Sequence, residues 1–159
     1  MKKIEELYGK DYMFVDVRSP KEFAEDHIPG AINIPLFSNE ERAIVGTLYK
    51  QVGKDVAIEK GLEIVSDKLP EMIKEYQKYK DTKLIVYCWR GGMRSGSVVG
   101  LLQSLKFDVE QLEKGYKDYR RFVREELDTV PIPPLIILYA LTGSGKTEML
   151  QQLENSIDL

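Results

Sequence analysis

The sequence predicts an α/β protein built on a parallel sheet of about five strands flanked by helices. Three observations carry that expectation. Short apolar runs alternate with stretches of helical periodicity, an order that favours a parallel sheet with right-handed crossovers. Two helix starts are written out as capping boxes, Ser19-Pro20-Lys21-Glu22 and Ser38-Asn39-Glu40-Glu41. An apolar run ends at the only cysteine, Cys88, and passes through Gly91-Gly92 into a helical pattern.

In chain order, Phe14-Val15-Asp16-Val17 reads as a short strand, and the Ser19 capping box with Pro20 at the first helical position opens a helix after it. Ile28-Pro29-Gly30 closes that helix, and Ala31-Ile32-Asn33-Ile34 is a second strand. The Ser38 box opens a helix toward Gln51. A long helical stretch from Val56 to Lys78 has an apolar face of Ile58, Leu62, Ile64, Val65, Leu69, Met72, Ile73 and Tyr76, with Pro70 expected to break it in two. Lys83-Leu84-Ile85-Val86-Tyr87 is a buried strand. Val98, Val99, Leu101, Leu102 and Leu105 mark the helix that follows Cys88. Phe107 to Leu112 gives another strand and Tyr116 to Leu127 a closing helix. The expected organisation is a domain over 1–128, a Pro-rich linker over 129–134 with Pro131, Pro133 and Pro134, and a strand, phosphate loop and helix start over 135–159.

The chain has 159 residues and a net charge of −3, so nucleic-acid binding has no global electrostatic support and any RNA contact must be local. No apolar stretch is long enough for a membrane span, so no membrane partner is expected. The charged start Met1-Lys2-Lys3-Ile4-Glu5-Glu6 lacks a signal peptide's apolar region, which favours a cytoplasmic location. One cysteine excludes an internal disulfide, and one histidine, His27, leaves no Cys/His cluster for a metal.

Cys88 opens the segment Cys88-Trp89-Arg90-Gly91-Gly92-Met93-Arg94-Ser95 at a strand-to-helix crossover. Backbone N–H groups of a tight glycine loop and the following helix start make a positive pocket that lowers a thiol pKa and holds an anion. Cys88 is therefore the candidate nucleophile. Trp89, Arg90, Gly91, Gly92, Met93 and Arg94 are the candidate anion-binding loop, the guanidinium of Arg94 being suited to a tetrahedral oxyanion. Asp16 and Arg18, at the end of the first strand, are expected to support the site from behind as an ion pair. His27 is expected to be a hydrogen-bonded structural histidine. Lys114, Lys117, Arg120, Arg121 and Arg124 interleave with Tyr116, Tyr119 and Phe122, and two readings stay open: contact with an RNA backbone, or aromatics packed inward under a solvated basic face.

Asp16-Val17-Arg18-Ser19-Pro20 with Glu22-Phe23, His27-Ile28-Pro29-Gly30-Ala31-Ile32-Asn33-Ile34-Pro35 and the Cys88 loop together resemble the rhodanese family over most of the first 128 residues. Within it, Asn39-Glu40-Glu41-Arg42, Val45-Gly46-Thr47-Leu48-Tyr49-Lys50-Gln51, the Cys88 loop and Gly115-Tyr116-Lys117-Asp118-Tyr119-Arg120 resemble the tRNA 2-selenouridine synthases. That resemblance implies a rhodanese domain joined to a P-loop domain, with no tightly bound cofactor. It implies conversion of wobble 2-thiouridine in tRNA to 2-selenouridine, by geranylation from geranyl diphosphate and replacement of the geranylthio group using selenophosphate as selenium donor. A stand-alone sulfurtransferase is the alternative. Cys88 to Arg94 also forms the C-x5-R spacing of cysteine phosphatases and arsenate reductases, but Tyr87 stands where those enzymes carry histidine. A non-catalytic rhodanese-like module is disfavoured by the retained cysteine.

Thr142-Gly143-Ser144-Gly145-Lys146-Thr147 follows the apolar run Leu135 to Leu141 and matches a phosphate loop of Walker A type, with Ala140 in place of the first glycine. Backbone N–H groups around Gly143, Ser144, Gly145 and Thr147 would cradle phosphates and Lys146 would neutralise them. The segment lacks a second acidic motif, so the chain is expected to be a piece of a longer protein or a truncated product; whether it acts alone or pairs with a separate P-loop chain or with a second copy as a homodimer stays open. The expected outcome of calorimetric titration with geranyl diphosphate is accordingly weak or no binding, unchanged by Lys146→Ala; tight binding that the variant loses would show a working second site.

Overall fold

The computed structural model describes residues 1–131, 139 and 141–153. In chain order the elements are α1 (Ile4–Leu7), β1 (Met13–Asp16), α2 (Pro20–Glu25), β2 (Ile32–Asn33), α3 (Asn39–Gln51), α4 (Lys54–Gln77), β3 (Leu84–Tyr87), α5 (Met93–Ser104), β4 (Val109–Gln111), α6 (Gly115–Thr129) and α7 (Lys146–Gln151). The chain divides into two units, Met1–Asp128 and Thr129–Leu159.

The first unit is an α/β fold around a parallel sheet of order β2-β1-β3-β4. Register is continuous across it: Val15 lies opposite Ile32 and Val86, and Val86 opposite Gln111. Four strands are present among the described residues. Beyond β4 the edge carries a single parallel bridge, with the Lys2 N–H donating to the Gln111 carbonyl at 3.0 Å and the Glu113 N–H to the Lys2 carbonyl at 2.8 Å. The strand expected over Leu135 to Leu141 falls largely outside the described residues.

The central strand β3 is buried along its whole length, and its side chains alternate between two cores. Leu84, Val86 and then Cys88 face a cluster with Met72 and Tyr76 of α4 and Val98, Val99 and Leu102 of α5. Ile85 and Tyr87 face a second cluster with Ile4 and Leu7 of α1, Leu112, and Tyr116 and Tyr119 of α6. Alternation along four residues thus decides which side of the sheet receives the thiol.

Both capping boxes form as read: Ser19 and Ser38 each accept the N–H three residues on, and Glu22 and Glu41 each accept the cap's own N–H. Pro70 does not divide the long helix. α4 runs unbroken from Lys54 to Gln77 with Pro70 inside it. A proline in a helix interior costs about 3 kcal/mol; continuing the helix keeps Leu69, Met72, Ile73 and Tyr76 on the sheet, and one fully buried large apolar side chain alone is worth about 1.5–3 kcal/mol. α1, which the sequence reading did not identify, is one turn whose Ile4 and Leu7 are nearly inaccessible.

The turn from β4 into α6 uses two consecutive left-handed residues, Lys114 (φ 55°) and Gly115 (φ 60°). A Cβ on Gly115 would stand 2.2 Å from the Cys88 carbonyl oxygen and 2.5 Å from the Gly91 nitrogen, both backbone atoms that cannot rotate away. Gly115→Ala is therefore expected to destabilise by at least about 1–3 kcal/mol. Gly100, inside α5 with nothing within 4 Å of its would-be Cβ, should become more stable by roughly 0.5–1 kcal/mol as alanine. Urea unfolding of the two variants checks the contrast; equal effects would show that the Gly115 approach is not a constraint.

Candidate functional site

Cys88 follows the last residue of β3 and is 3% exposed. Its Sγ accepts a hydrogen bond from the Ser95 hydroxyl in the first turn of α5, at 3.2 Å. The Ser95 oxygen accepts in turn from Gln111 Nε2 at 2.9 Å, and the two N–H groups of that amide also serve the carbonyls of Gly91 at 2.8 Å and Gly92 at 3.1 Å, one of them shared between two acceptors. With the Gln111 amide directed at its lone pair, the Ser95 hydroxyl keeps its one proton for Cys88 Sγ or for the Gly92 carbonyl at 3.3 Å. A thiolate would take that proton, because hydrogen bonds to a charged acceptor are the stronger ones.

The loop is held from its other side by α6. The Tyr116 N–H donates to the Cys88 carbonyl at 2.9 Å and the Lys117 N–H to the Trp89 carbonyl at 3.0 Å. Gly91, at φ 61°, has the Lys114 N and the Leu112 carbonyl each 2.8 Å from where a Cβ would be. Two backbones meet here without side chains between them, which sets the loop's shape.

Asp16 and Arg18 form a buried ion pair, 0% and 2% exposed, with Arg18 Nη2 to Asp16 Oδ2 at 2.6 Å and Nε to the same oxygen at 2.8 Å. Arg18 also donates to the Asp26 carbonyl at 2.7 Å. Its guanidinium carbon lies 4.1 Å from the Tyr116 ring centroid and 6.0 Å from that of Trp89, within cation–π range. Trp89 is half-buried and tilts on Tyr116 at 5.7 Å between centroids, as a cap on the second core. His27 stacks on Phe23 at 3.9 Å, and its Nδ1 is 2.9 Å from the Phe23 carbonyl. A carbonyl only accepts, so that nitrogen carries the proton.

Arg94 does not point freely at the loop. Its Nη1 donates to Glu22 Oε2 at 3.0 Å, and Arg42 Nε approaches the same oxygen at 3.5 Å. Two guanidinium groups thus share one carboxylate beside the Cys88 loop. Arg90 and Met93 are exposed, and Gly92 is an open N-cap to α5. On α6 the aromatics pack inward: Tyr116 and Tyr119 are buried and Phe122 packs against their cluster. Arg121 is bound by Asp118, Glu125 and Glu5, whereas Lys114, Lys117, Arg120 and Arg124 are exposed.

In the second unit, Gly143 and Gly145 both adopt left-handed backbone (φ 80°) ahead of α7. Ser144 and Thr147 belong to the same turn and helix start. The Lys146 ammonium donates to the Leu141 carbonyl at 2.8 Å. Ala140 lies outside the described residues. Among the described residues no group of three His, Cys, Asp or Glu is placed to hold a metal, and no helix is long and apolar enough to cross a membrane.

Sequence reading passed over two parts of this site. Gln111 is an unremarkable residue at the end of an edge strand, and its contacts to the loop span 16 to 20 residues. Glu22 enters the sequence reading as a capping-box residue and in the family resemblance with Phe23, yet it receives Arg94 from 72 residues away. No local signal marks either link.

Burial pushes the Glu22 carboxyl up, but the Arg94 guanidinium, with its hydrogen bond, the Ser19 N–H and Arg42 outweigh it and hold the group below the ordinary 4.5. A carboxylate depressed in the native state contributes stability that is fully present above its unfolded pKa and is lost as pH falls through the native value. Wild-type stability should therefore fall with acid below about pH 4.5 more steeply than that of Glu22→Gln. Urea titrations at several pH values read the difference; parallel curves would show that the Arg94–Glu22 ion pair does not contribute.

Residues 2–122 match the rhodanese-like domain family. The chain is 39% identical over 157 residues to the tRNA 2-selenouridine synthase of Photobacterium profundum, covering 97% of this chain and 43% of the relative. It is 38% identical to that of Pseudomonas syringae pv. syringae, covering 96% and 43%. The chain thus spans less than half the length of these curated relatives. Among solved structures, an N-terminal domain from Clostridium difficile 630 is 50% identical with a TM-score of 0.73, covering 77% of this chain and 97% of that one. Reduced Bacillus anthracis CoADR-RHD is similar in fold alone, at 22% identity and TM-score 0.50 over 78% of this chain and 17% of that one. Since the family match takes in both the Cys88 loop and the start of α6 that holds it, this chain belongs to the rhodanese-like domain family.

Proposed function

We propose that this chain is the rhodanese domain of a tRNA 2-selenouridine synthase, in which Cys88 is the sulfur- and selenium-handling nucleophile for converting wobble 2-thiouridine to 2-selenouridine. Selenophosphate is the selenium donor, and geranyl diphosphate is the co-substrate for a geranylated intermediate in the complete enzyme. The observation that carries the reading is the hydrogen bond from Ser95 to the buried Cys88 Sγ, inside a loop held open by Gly91 and Gly115. The similarity to proteins named tRNA 2-selenouridine synthase, over nearly the whole chain, supports tRNA as the substrate.

Cys88 Sγ lies at the C-terminal end of a central parallel strand, the end at which α/β folds bind their ligands. Loop N–H groups and Gly92 at the start of α5 provide donors to a charged terminal chalcogen. Arg94 would have to divide its guanidinium between Glu22 and an incoming oxyanion, and Arg42 keeps that carboxylate compensated when it does. With thiosulfate, the simplest sulfur donor, the Cys88 thiolate attacks the outer sulfur. One S–S bond forms, the bond to the sulfonate sulfur breaks, and sulfite leaves with the electron pair. The same loop serves the alternative of a stand-alone sulfurtransferase, so donor preference separates the two.

Mass spectrometry of the chain after exposure to thiosulfate, alone or with selenophosphate as a competitor for the loop, is the test. Addition at Cys88 is expected, and none in Cys88→Ser. Gln111→Ala should slow the addition by about tenfold or less, the cost of about 1 kcal/mol for one lost neutral hydrogen bond. Arg94→Lys should slow it with little change in stability, because charge remains but the bidentate fork is lost. An unmodified Cys88, or hydrolysis of an aryl phosphate instead, would overturn the reading.

A further inference from the structure

The helix that holds the Cys88 loop carries a cationic stripe with no internal purpose. Lys117, Arg120 and Arg124 recur at i, i+3 and i+7, a spacing that puts them on one face of α6, and all three are exposed. None makes an ion pair among the described residues. Arg121, one residue from Arg120, is by contrast tied to Asp118, Glu125 and Glu5 at once. Asp118, Glu125 and Glu5 are thus taken up by Arg121, and the neighbouring stripe makes no ion pair of its own among the described residues, in a chain whose net charge is −3.

The stripe also has a direction. Its first residue, Lys117, donates its N–H to the Trp89 carbonyl, and Gly115 touches the backbone of Cys88, Arg90 and Gly91. Exposed Lys114 and Arg90 stand at that junction, so a line of exposed cations leads from the Cys88 loop along α6. Seven residues of helix, at 1.5 Å each, extend it by about 10 Å.

We propose that this face of α6, with Arg90 and Lys114 at its head, is where an RNA phosphate backbone docks so that a base can be presented to the Cys88 loop. The inference rests on the reading under Proposed function and adds to it the surface that the substrate uses. A row of three cations on one helix face suits a polymer of regularly spaced phosphates. The neighbouring Trp89 is engaged with Tyr116 and Arg18 rather than free, which assigns the affinity to charge rather than to stacking.

The experiment uses the whole chain and a fluorescently labelled, unmodified tRNA transcript, with anisotropy read across a salt series. Lys117→Glu/Arg120→Glu/Arg124→Glu should weaken binding by about tenfold or more and make the log–log salt slope shallower by about 2, given roughly 0.7 per single-strand phosphate contact. Lys50→Glu/Lys54→Glu/Lys74→Glu, an equal charge change on exposed positions of α3 and α4, should have a much smaller effect. Lys117→Arg/Arg120→Lys/Arg124→Lys should bind as wild type, and circular dichroism confirms that each variant is folded. Equal losses in the two reversed sets, no loss in the α6 set, or binding to phosphatidylcholine/phosphatidylserine vesicles without binding to the transcript would each overturn the proposal. Modification of Cys88 by thiosulfate, measured on the same α6 variant, is expected to match wild type. It keeps failure of this surface distinct from failure of the Cys88 reading.

Discussion

The site depends on one close approach, the meeting of the Cys88 loop and the start of α6 through Gly91 and Gly115. Each glycine has positive φ, and each has the other strand's backbone where a side chain would begin. The contact lets Tyr116 and Lys117 donate their N–H groups, which a helix start leaves without intrahelical partners, to carbonyls of the loop. The loop's own N–H groups are thereby left for something else. A loop that satisfied its carbonyls internally would have turned inward and offered its solvent side no donors.

Around that contact the arginines have different situations, and the differences follow burial. Arg18, almost inaccessible, is fully committed to Asp16 and the Asp26 carbonyl and covered by aromatic rings. Removing one partner of such a pair costs about 3–5 kcal/mol because the other charge is stranded; the pair underpins the end of β1. Arg94, about a quarter exposed, shares Glu22 with a second guanidinium, so its commitment is exchangeable. Arg90 is in solvent. The site thus combines a rigid base at the end of β1 with an adjustable flank and an open rim in the Cys88 loop.

The sequence was most informative where both partners of an interaction are near neighbours. Ser19 with Glu22 and Ser38 with Glu41 are separated by three residues, and both capping boxes form. The crossover at Cys88 was readable because an apolar strand, two glycines and a helical repeat are contiguous. Pro70 was misread because local propensity takes no account of the sheet that α4 lies on. Gln111 and Glu22 were invisible in their roles, since only the closure of the sheet brings β4 beside the Ser95 turn and α2 beside Arg94. A single turn such as α1 is too short for any periodicity to show; only its two buried side chains define it.

Trp89 is the chain's one tryptophan, and its place gives the protein an intrinsic optical gauge. The indole is joined to Cys88 by one peptide bond and lies on Tyr116, whose backbone N–H is bonded to the Cys88 carbonyl. The Arg18 cation is 6.0 Å from its ring. A change in the charge or occupancy of the thiol, or a displacement of α6 against the loop, alters the field and packing at that one chromophore. Selective excitation of the indole would report on these few residues without an attached dye, while the rest of the polypeptide stays dark.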